Sequence, residues 1–538
     1  MSNPFTIQSE RFGTVRTSRG LTAMDEFQDG AVSGGRHPER LGLTIRPRRF
    51  WVGATGFVVA MALLLLRAAQ LQIVQGAHYA ALAESNRVRR QTIVAPRGIV
   101  YDRFGLPLIQ NVPSFVFTMT YADLPKDAAE REAVLVSAAD LSGVPRTDID
   151  LLLTDAKKDP LDPFVLKKGI PYEAAMRLAI AAPSLPGFKL DTATVRAYAT
   201  SAPALSHVLG YVGNITAEEY EGRREEGYRR VDDIGKDGIE RSEETLLRGT
   251  PGWLDVEVNS RGRELSVDGR TDPSPGKTLT LTIDLELQAF IESRLADVLK
   301  KLGLAKASVV AIDPRDGAVR ALVSEPTFDS NAFSGGIDAD LYARLINDPD
   351  QPLYDRAVSG EFPPGSTFKP YVAYTALSGG LVAPSTSFVS TGGLRVGEWF
   401  FPDWKAGGHG VTDVRKAIAW SVNTYFYVIG GGFDTFTGLG VERITDGARL
   451  FGFGSKTGID LPSEADGFLP SKEWKQEAKG ERWYVGDTYH LAIGQGDMLA
   501  TPLQVAVANA TIANGGQRFT PRLIEQIDGV PVSSVPAG

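Results

Sequence analysis

Residues 50–66 form an uninterrupted run of uncharged, mostly apolar positions bounded by Arg49 and Arg67. Seventeen residues in a helix span about 25 Å, and flanking arginines that reach toward the interfaces extend that span, so a transmembrane signal anchor is predicted over 50–70. Residues 1–49 are polar, rich in Gly and Arg and without periodicity, which predicts a disordered tail. Arg36, Arg40, Arg46, Arg48 and Arg49 precede the apolar run, whereas mixed charge follows it. The basic excess places the tail in the cytoplasm and the remainder outside a single-pass membrane anchor. A cleaved signal peptide fits less well, because the basic region is long and no Ala-x-Ala site follows.

Beyond the anchor the pattern changes twice. Residues 71–88 read as a helix leading away from the bilayer, and the region up to residue 275 mixes alternating strands, such as 114–120, with helical stretches near 127–140 and 172–182. Residues 222–249 are dense in charge and read as solvent-facing. A turn-rich segment at 271–277 marks a domain boundary. After it come a strand at 279–283, a helix over 285–299 capped by Asp284, and two strands at 307–312 and 318–324 joined by Asp313-Pro-Arg-Asp-Gly317. A helix packed on an antiparallel sheet is the expected arrangement for residues 276–538, with residues 71–275 as a separate α+β region.

At 538 residues the chain is too long for one ordinary core. Its 57 basic and 65 acidic residues give a net charge of -8, which argues against nucleic acid as a partner. The absence of cysteine removes disulfides, thiolate catalysis and Cys-based metal sites.

Candidate chemistry lies in the second half. Ser366 and Lys369 are three residues apart, hence neighbours on one helical face, and they follow Phe362-Pro-Pro-Gly365. The prolines disfavour an ongoing helix, so Ser366 is expected in the first turn of a new one. A serine hydroxyl needs a base to become nucleophilic, and a lysine serves only if burial or another cation lowers its pKa. Further along the chain, Ser421-Val-Asn423 offers a hydroxyl that can pass a proton to a leaving amine and an amide that can bind substrate or hold Lys369. Either motif alone has an ordinary surface-helix or loop reading; together they point to acyl transfer by an active-site serine.

Taken together with these motifs, the chain resembles the class B penicillin-binding proteins, in particular the penicillin-binding protein 2 (MrdA) group of cell-elongation D,D-transpeptidases. The resemblance runs through Leu71-Gln-Ile-Val74, Asn86-Arg-Val-Arg89, Pro96-Arg-Gly-Ile-Val-Tyr-Asp-Arg-Phe-Gly105, His207-Val-Leu-Gly-Tyr-Val-Gly213, Gly238-Ile-Glu240 and Leu247-Arg-Gly249. It continues in Asp313-Pro314, Gly365-Ser-Thr-Phe-Lys-Pro370, Trp404-Lys-Ala-Gly-Gly-His-Gly410, Thr457-Gly-Ile-Asp-Leu461, Gly494-Gln-Gly496 and Thr501-Pro502. The resemblance implies an elongated α+β pedestal of the dimerisation type and an α/β penicillin-binding transpeptidase domain with an antiparallel sheet. It implies that Ser366 attacks the D-Ala-D-Ala bond of peptidoglycan stem peptides and that Lys369 deprotonates it. Ser421 and Asn423 would relay the proton and bind substrate. It also implies lipid-linked glycan strands and β-lactams as ligands, and a RodA-type glycosyltransferase and an MreC-type scaffold as partners, at the bacterial inner membrane with the catalytic domain in the periplasm. No cofactor is implied.

The third motif of such enzymes, Lys-Ser/Thr-Gly on a strand beside the nucleophile, is not found. Lys456-Thr457-Gly458 has the right letters, but it follows Phe451-Gly-Phe-Gly-Ser and precedes Ile459-Asp-Leu-Pro462, a different landmark. The genuine motif is expected beyond Gly538, so the domain is expected to lack its C-terminal strands, to fold poorly and to form little penicillin adduct as it stands. A division-specific transpeptidase and a non-catalytic scaffold or β-lactam-binding protein are the alternatives. Asp403 and His409 are two ligands and fall short of a metal site, so a structural histidine in a Gly-rich turn is expected.

Overall fold

The computed structural model describes residues 47–76, 88–158, 160, 163–258 and 264–537. The expected disordered tail and most of the helix expected over 71–88 lie outside these residues. Two compact units are present, residues 1–83 and residues 84–538. In the first, helix α1, Pro47–Ala69, continues into a π-helical turn, Gln70–Val74. The stretch 50–74 has a mean hydropathy of 2.0 and is long and apolar enough to cross a membrane. The described helical residues past 70 widen into that turn, and the chain is a strand from Val88.

In the second unit, β1 (Val88–Ile93) pairs with β6 (Gly252–Val258), which pairs with β7 (Glu264–Thr271), all antiparallel. A larger sheet takes β2 (Val100–Tyr101), the long β3 (Pro107–Thr120), β4 (Pro163–Lys167) and β5 (Phe188–Tyr198) from one side of the expected boundary and β8 (Leu279–Leu281) from the other. β8 runs parallel to β2 and antiparallel to Ile524–Ile527 near the chain's end. Hydrogen bonds therefore cross the turn-rich segment rather than stopping there. A helical layer, α2 (Ala128–Ser142) with α3 (Tyr172–Ala181), covers the far end of this sheet over Phe117, Met119 and Phe188.

Residues 222–249 are expected to be solvent-facing; 222–227 are mostly exposed, but the structure corrects the expectation for the acidic residues further along. Glu240 is fully buried and Glu244 nearly so, because each is matched by cations. Glu240 accepts from Arg97 Nη2 at 2.6 Å and from Arg196 Nε at 2.7 Å. Glu244 accepts from Arg97 Nη2 at 2.8 Å, Tyr228 Oη at 2.8 Å and the Gly235 N–H at 2.9 Å. Burial alone would push the Glu240 carboxyl up, but Arg97 and Arg196 hold it below the usual range. Charge density along a sequence cannot separate a solvated face from a paired interior. Gly98, beside Arg97, passes so close to the next segment that a Cβ would lie 1.9 Å from the Lys277 carbonyl oxygen.

The domain that follows is built on α4 (Leu285–Leu302), whose Asp284 accepts from the Leu287 N–H, and on the antiparallel hairpin β9 (Ala307–Ile312) and β10 (Val319–Glu325). α5 (Lys369–Ser378), α6 (Val414–Ala419), α7 (Asn423–Gly431) and α8 (Pro502–Ala513) follow. Two cores result. One joins Val100, Leu108 and Ile109 to Leu279, Leu322, Leu503 and Leu523, and so fuses the base of the pedestal to the hairpin domain. The other surrounds Phe368, Tyr371, Phe426, Ile444 and Phe453, and holds the helices that carry the serine motifs.

Glu240→Ala leaves two buried guanidinium groups without their shared acceptor, and a loss of about 3–5 kcal/mol is expected. Denaturant unfolding checks this, with Asp255→Asn as control. That residue's pair with Arg90 is exposed, and its unfolding midpoint is expected to stay where it was.

Candidate active site

Gly365 adopts φ +60° and donates its N–H to the Gly494 carbonyl at 2.7 Å, while a Cβ on Gly494 would sit 2.2 Å from the Gly365 oxygen. Only glycines allow this approach, and it fixes the entry to a 3-10 turn, Gly365–Phe368, that runs directly into α5. The turn exposes Ser366 and Thr367 and buries Phe368 and Lys369. Ser366 and Lys369 thus straddle the junction between a tight turn and a helix, with the serine facing solvent and the lysine inward.

Lys369 Nζ donates to Ser421 Oγ at 2.9 Å, to the Ser421 carbonyl at 2.8 Å and to Asn423 Oδ1 at 2.6 Å. Its three hydrogens are accounted for, and the Phe426 ring lies 5.5 Å away. Among the described residues no hydrogen bond joins Lys369 to Ser366. Burial drives the Lys369 pKa down to about 8, against the opposing pull of the Asp403 carboxylate. Near pH 8 about half of these side chains are free amines, a state an exposed lysine reaches only above pH 10.

Ser421 occupies the left-handed region at φ +53°, a conformation a non-glycine residue keeps only where its surroundings impose it. It closes α6 and precedes α7, so Ser421 and Asn423 flank the buried Val422. A cleft of about 540 Å³ is lined by Ser366, Ser421, Asn423, Ala419, Trp404 and Trp420. Both tryptophans are more than half exposed, and Trp404 Nε1 donates to the Trp420 carbonyl at 3.0 Å. Another cleft, of about 570 Å³, is lined by Arg395, Gly432, Phe436 and Tyr489 and holds none of the candidate groups.

The structure therefore brings Ser366, Ser421 and Asn423 to one cleft, with the buried Lys369 hydrogen-bonded to the last two. Lys456, Thr457 and Gly458 are placed elsewhere, in a loop without regular structure. There the Glu464 carboxylate accepts from the Thr457 N–H and hydroxyl, at 2.6 and 2.5 Å, and from the Gly458 N–H at 3.0 Å. This triplet is a loop brace. Asp403 and His409 sit behind the Ser421 turn, with Asp403 Oδ1 3.9 Å from His409 Nε2, and the His409 ring packs on Trp404 and Trp420. Among the described residues no group of three His, Asp or Glu side chains is arranged to hold a metal ion. Sequence reasoning missed the Ser421 carbonyl as an anchor for Lys369, and the tryptophan walls. A positive φ at a serine has no sequence signal, although two tryptophans near a serine motif are visible in the chain.

Residues 307–536 match the penicillin binding protein transpeptidase domain, and residues 92–281 match the penicillin-binding protein dimerisation domain. The chain is 35% identical over 480 residues to the peptidoglycan D,D-transpeptidase MrdA of Acinetobacter baumannii, covering 88% of this chain and 69% of that protein. Among solved structures it is similar to penicillin-binding protein PBP2 of Helicobacter pylori in complex with MreC. That match has a TM-score of 0.70 and 28% identity, over 83% of this chain and 81% of that one. It is similar also to a chain of a peptidoglycan synthase complex that coordinates polymerization and crosslinking. There the TM-score is 0.62 and the identity 33%, over 91% of this chain and 81% of that one.

If neutral Lys369 is the base, acylation by a penicillin rises about tenfold per pH unit below pH 8 and levels off above pH 9. Stopped-time labelling from pH 6 to 10 checks this, and a flat profile contradicts a role for the free amine.

Proposed function

Because the chain belongs to the MrdA group of peptidoglycan D,D-transpeptidases, we propose that Ser366, Lys369, Ser421 and Asn423 are the residues with which it performs that reaction. The group cross-links peptidoglycan for wall growth and rod-shape maintenance. The chain carries one N-terminal apolar helix as its inner-membrane anchor, with the pedestal and transpeptidase domain on the periplasmic side. The observation that carries the assignment is the buried Lys369 amino group, held by Ser421 and Asn423, two residues that line the same cleft as the exposed Ser366.

In this reading Ser366 Oγ attacks the carbonyl of the penultimate D-alanine of a stem peptide. Its proton passes to Lys369, with the Ser421 hydroxyl as the bridge, since Lys369 contacts Ser421 directly. The same pair returns a proton to the departing D-alanine amine, and the bond between the two D-alanines breaks. An amine from a neighbouring stem on a nascent, lipid-linked glycan strand then attacks the acyl-enzyme, forms the cross-link and restores the Ser366 hydroxyl. Asn423 holds Lys369 by its amide oxygen and contributes to the substrate-facing wall. β-Lactams acylate the same oxygen.

An MreC-type scaffold and a RodA-type glycosyltransferase are the proposed partners. The similarity to the PBP2 chain complexed with MreC supports the first, and the similarity to a polymerizing and crosslinking complex supports the second.

The test is covalent labelling with a fluorescent penicillin followed by peptide mapping. Labelling is expected to be small in extent and confined to Ser366, absent in Ser366→Ala, and slowed about 100-fold or more in Lys369→Ala. An adduct on another residue, or unchanged labelling of Ser366→Ala, overturns the assignment.

A further inference from the structure

The first N–H groups of a helix have no partner inside it and are usually met by a Ser, Thr, Asp or Asn at its N-terminal flank. α7, which carries Asn423, is flanked by Val422, whose side chain has no atom that can accept a hydrogen bond. The acceptor comes from twenty residues earlier. Asp403 Oδ1 accepts from the Asn423 N–H at 3.2 Å, and Oδ2 accepts from the Thr424 N–H at 3.0 Å and the Thr424 hydroxyl at 2.7 Å. The Trp404 N–H at 2.9 Å and the Ser390 hydroxyl at 3.4 Å complete five donors around one carboxylate. The Asp403 side chain is wholly buried, and among the described residues His409 is the one basic side chain within 4 Å of it.

We infer that Asp403 is a positioning residue of the serine centre, a remote cap that holds the 421–423 turn and, through it, Lys369. The inference rests on the reading of Ser366 and Lys369 as the reacting pair. All three oxygens that receive the Lys369 hydrogens belong to Ser421 and Asn423, so any drift of the turn moves the base. Ser421 is held at φ +53°, and the hydrogen bonds of Asp403 to the two residues beyond Val422 restrain the backbone that would relax it. The fit is specific in shape, because an isolated buried charge is tolerated only when its lone pairs are filled. The hydrogen bonds from Thr424, Asn423 and Trp404 outweigh burial and keep this carboxyl below the usual range.

A second consequence is electrostatic. The groups that face Lys369 are Ser421 and Asn423 of the turn, the Phe426 ring of α7 and, behind the turn, the charge of Asp403. Removing that charge removes the pull that favours the ammonium, so the Lys369 pKa falls further. A residue with a purely structural role slows the reaction without moving its pH profile.

The experiment uses the full chain in detergent, with lysine side chains isotopically labelled, the Lys369 resonance assigned through Lys369→Arg, and penicillin acylation followed from pH 6 to 10. Asp403→Asn is expected to slow acylation about tenfold or more and to move both the acylation midpoint and the Lys369 titration to lower pH. Thr424→Val removes one donor and leaves the charge, so it is expected to slow acylation while the midpoint stays, and it serves if Asp403→Asn unfolds. Unchanged Lys369 titration in a folded Asp403→Asn, or unchanged acylation in Thr424→Val, overturns the inference. If the wild-type chain is not labelled at Ser366, the functional reading fails, and the Lys369 titration still decides the role of Asp403.

Discussion

An ammonium group withdrawn from water is the constraint around which the serine centre is built. Lys369 is buried at the first position of α5, where the exposed alternative would leave it a solvated cation with no use as a base. Burial is unfavourable for the charged form, and hydrogen-bond acceptors must offset enough of that to keep the side chain in place, yet not so much that the proton is held fast. Two neutral side-chain oxygens and one carbonyl meet this condition. A direct carboxylate partner would not, because it would raise the lysine toward or above its ordinary value. The negative charge is instead set one layer back, at Asp403, where it steadies the acceptors and only partly opposes the effect of burial.

The requirement propagates outward. Three acceptors on a three-residue turn are useful only if α5 and α7 keep their spacing, and the apolar cluster of Phe368, Tyr371, Val422, Phe426 and Ile429 fills the space between them. Further out, single carboxylates tie segments that are distant in sequence. Asp102 accepts from Phe104 and Leu106, closing its own turn, and also from the first N–H of α4. Asp460 accepts from the backbone of Leu523 and Ile524 beside β8. The pedestal and the catalytic domain consequently share a sheet and a core, and the boundary between them is one of family and function more than of packing.

Much of this was legible in the chain where local chemistry is decisive. The Pro-Pro-Gly entry and the Ser-x-x-Lys spacing announced a helix starting near Ser366, and Asp284 announced the start of α4. The expected strands at 307–312 and 318–324, with a turn between them, announced a hairpin. What stayed hidden depends on contacts at long range. Residues 222–249 looked solvated because their cationic partners, Arg97 and Arg196, lie 143 and 44 residues from Glu240. The turn at 271–277 looked like a clean boundary because nothing local shows that β8 pairs with β2. Asp403 resembled half of a metal site because its five donors come from Ser390, Trp404, Asn423 and Thr424, residues that no spacing rule groups together.

Two buried carboxylates, Glu240 and Asp403, show how the same side-chain chemistry can be satisfied in two different ways. Glu240 is neutralised by two guanidinium groups that cannot lose a proton in the physiological range, so its surroundings are locked and electrically silent at any working pH. Asp403 is satisfied by N–H and O–H dipoles, which leave its net charge in place. Dipoles fix a carboxylate's position without cancelling its field, whereas a paired cation does both. Only the dipolar solution lets one residue hold the 421–423 turn and at the same time act on Lys369 beside it. A pairing of Asp403 with an arginine would keep the cap and lose the influence on Lys369.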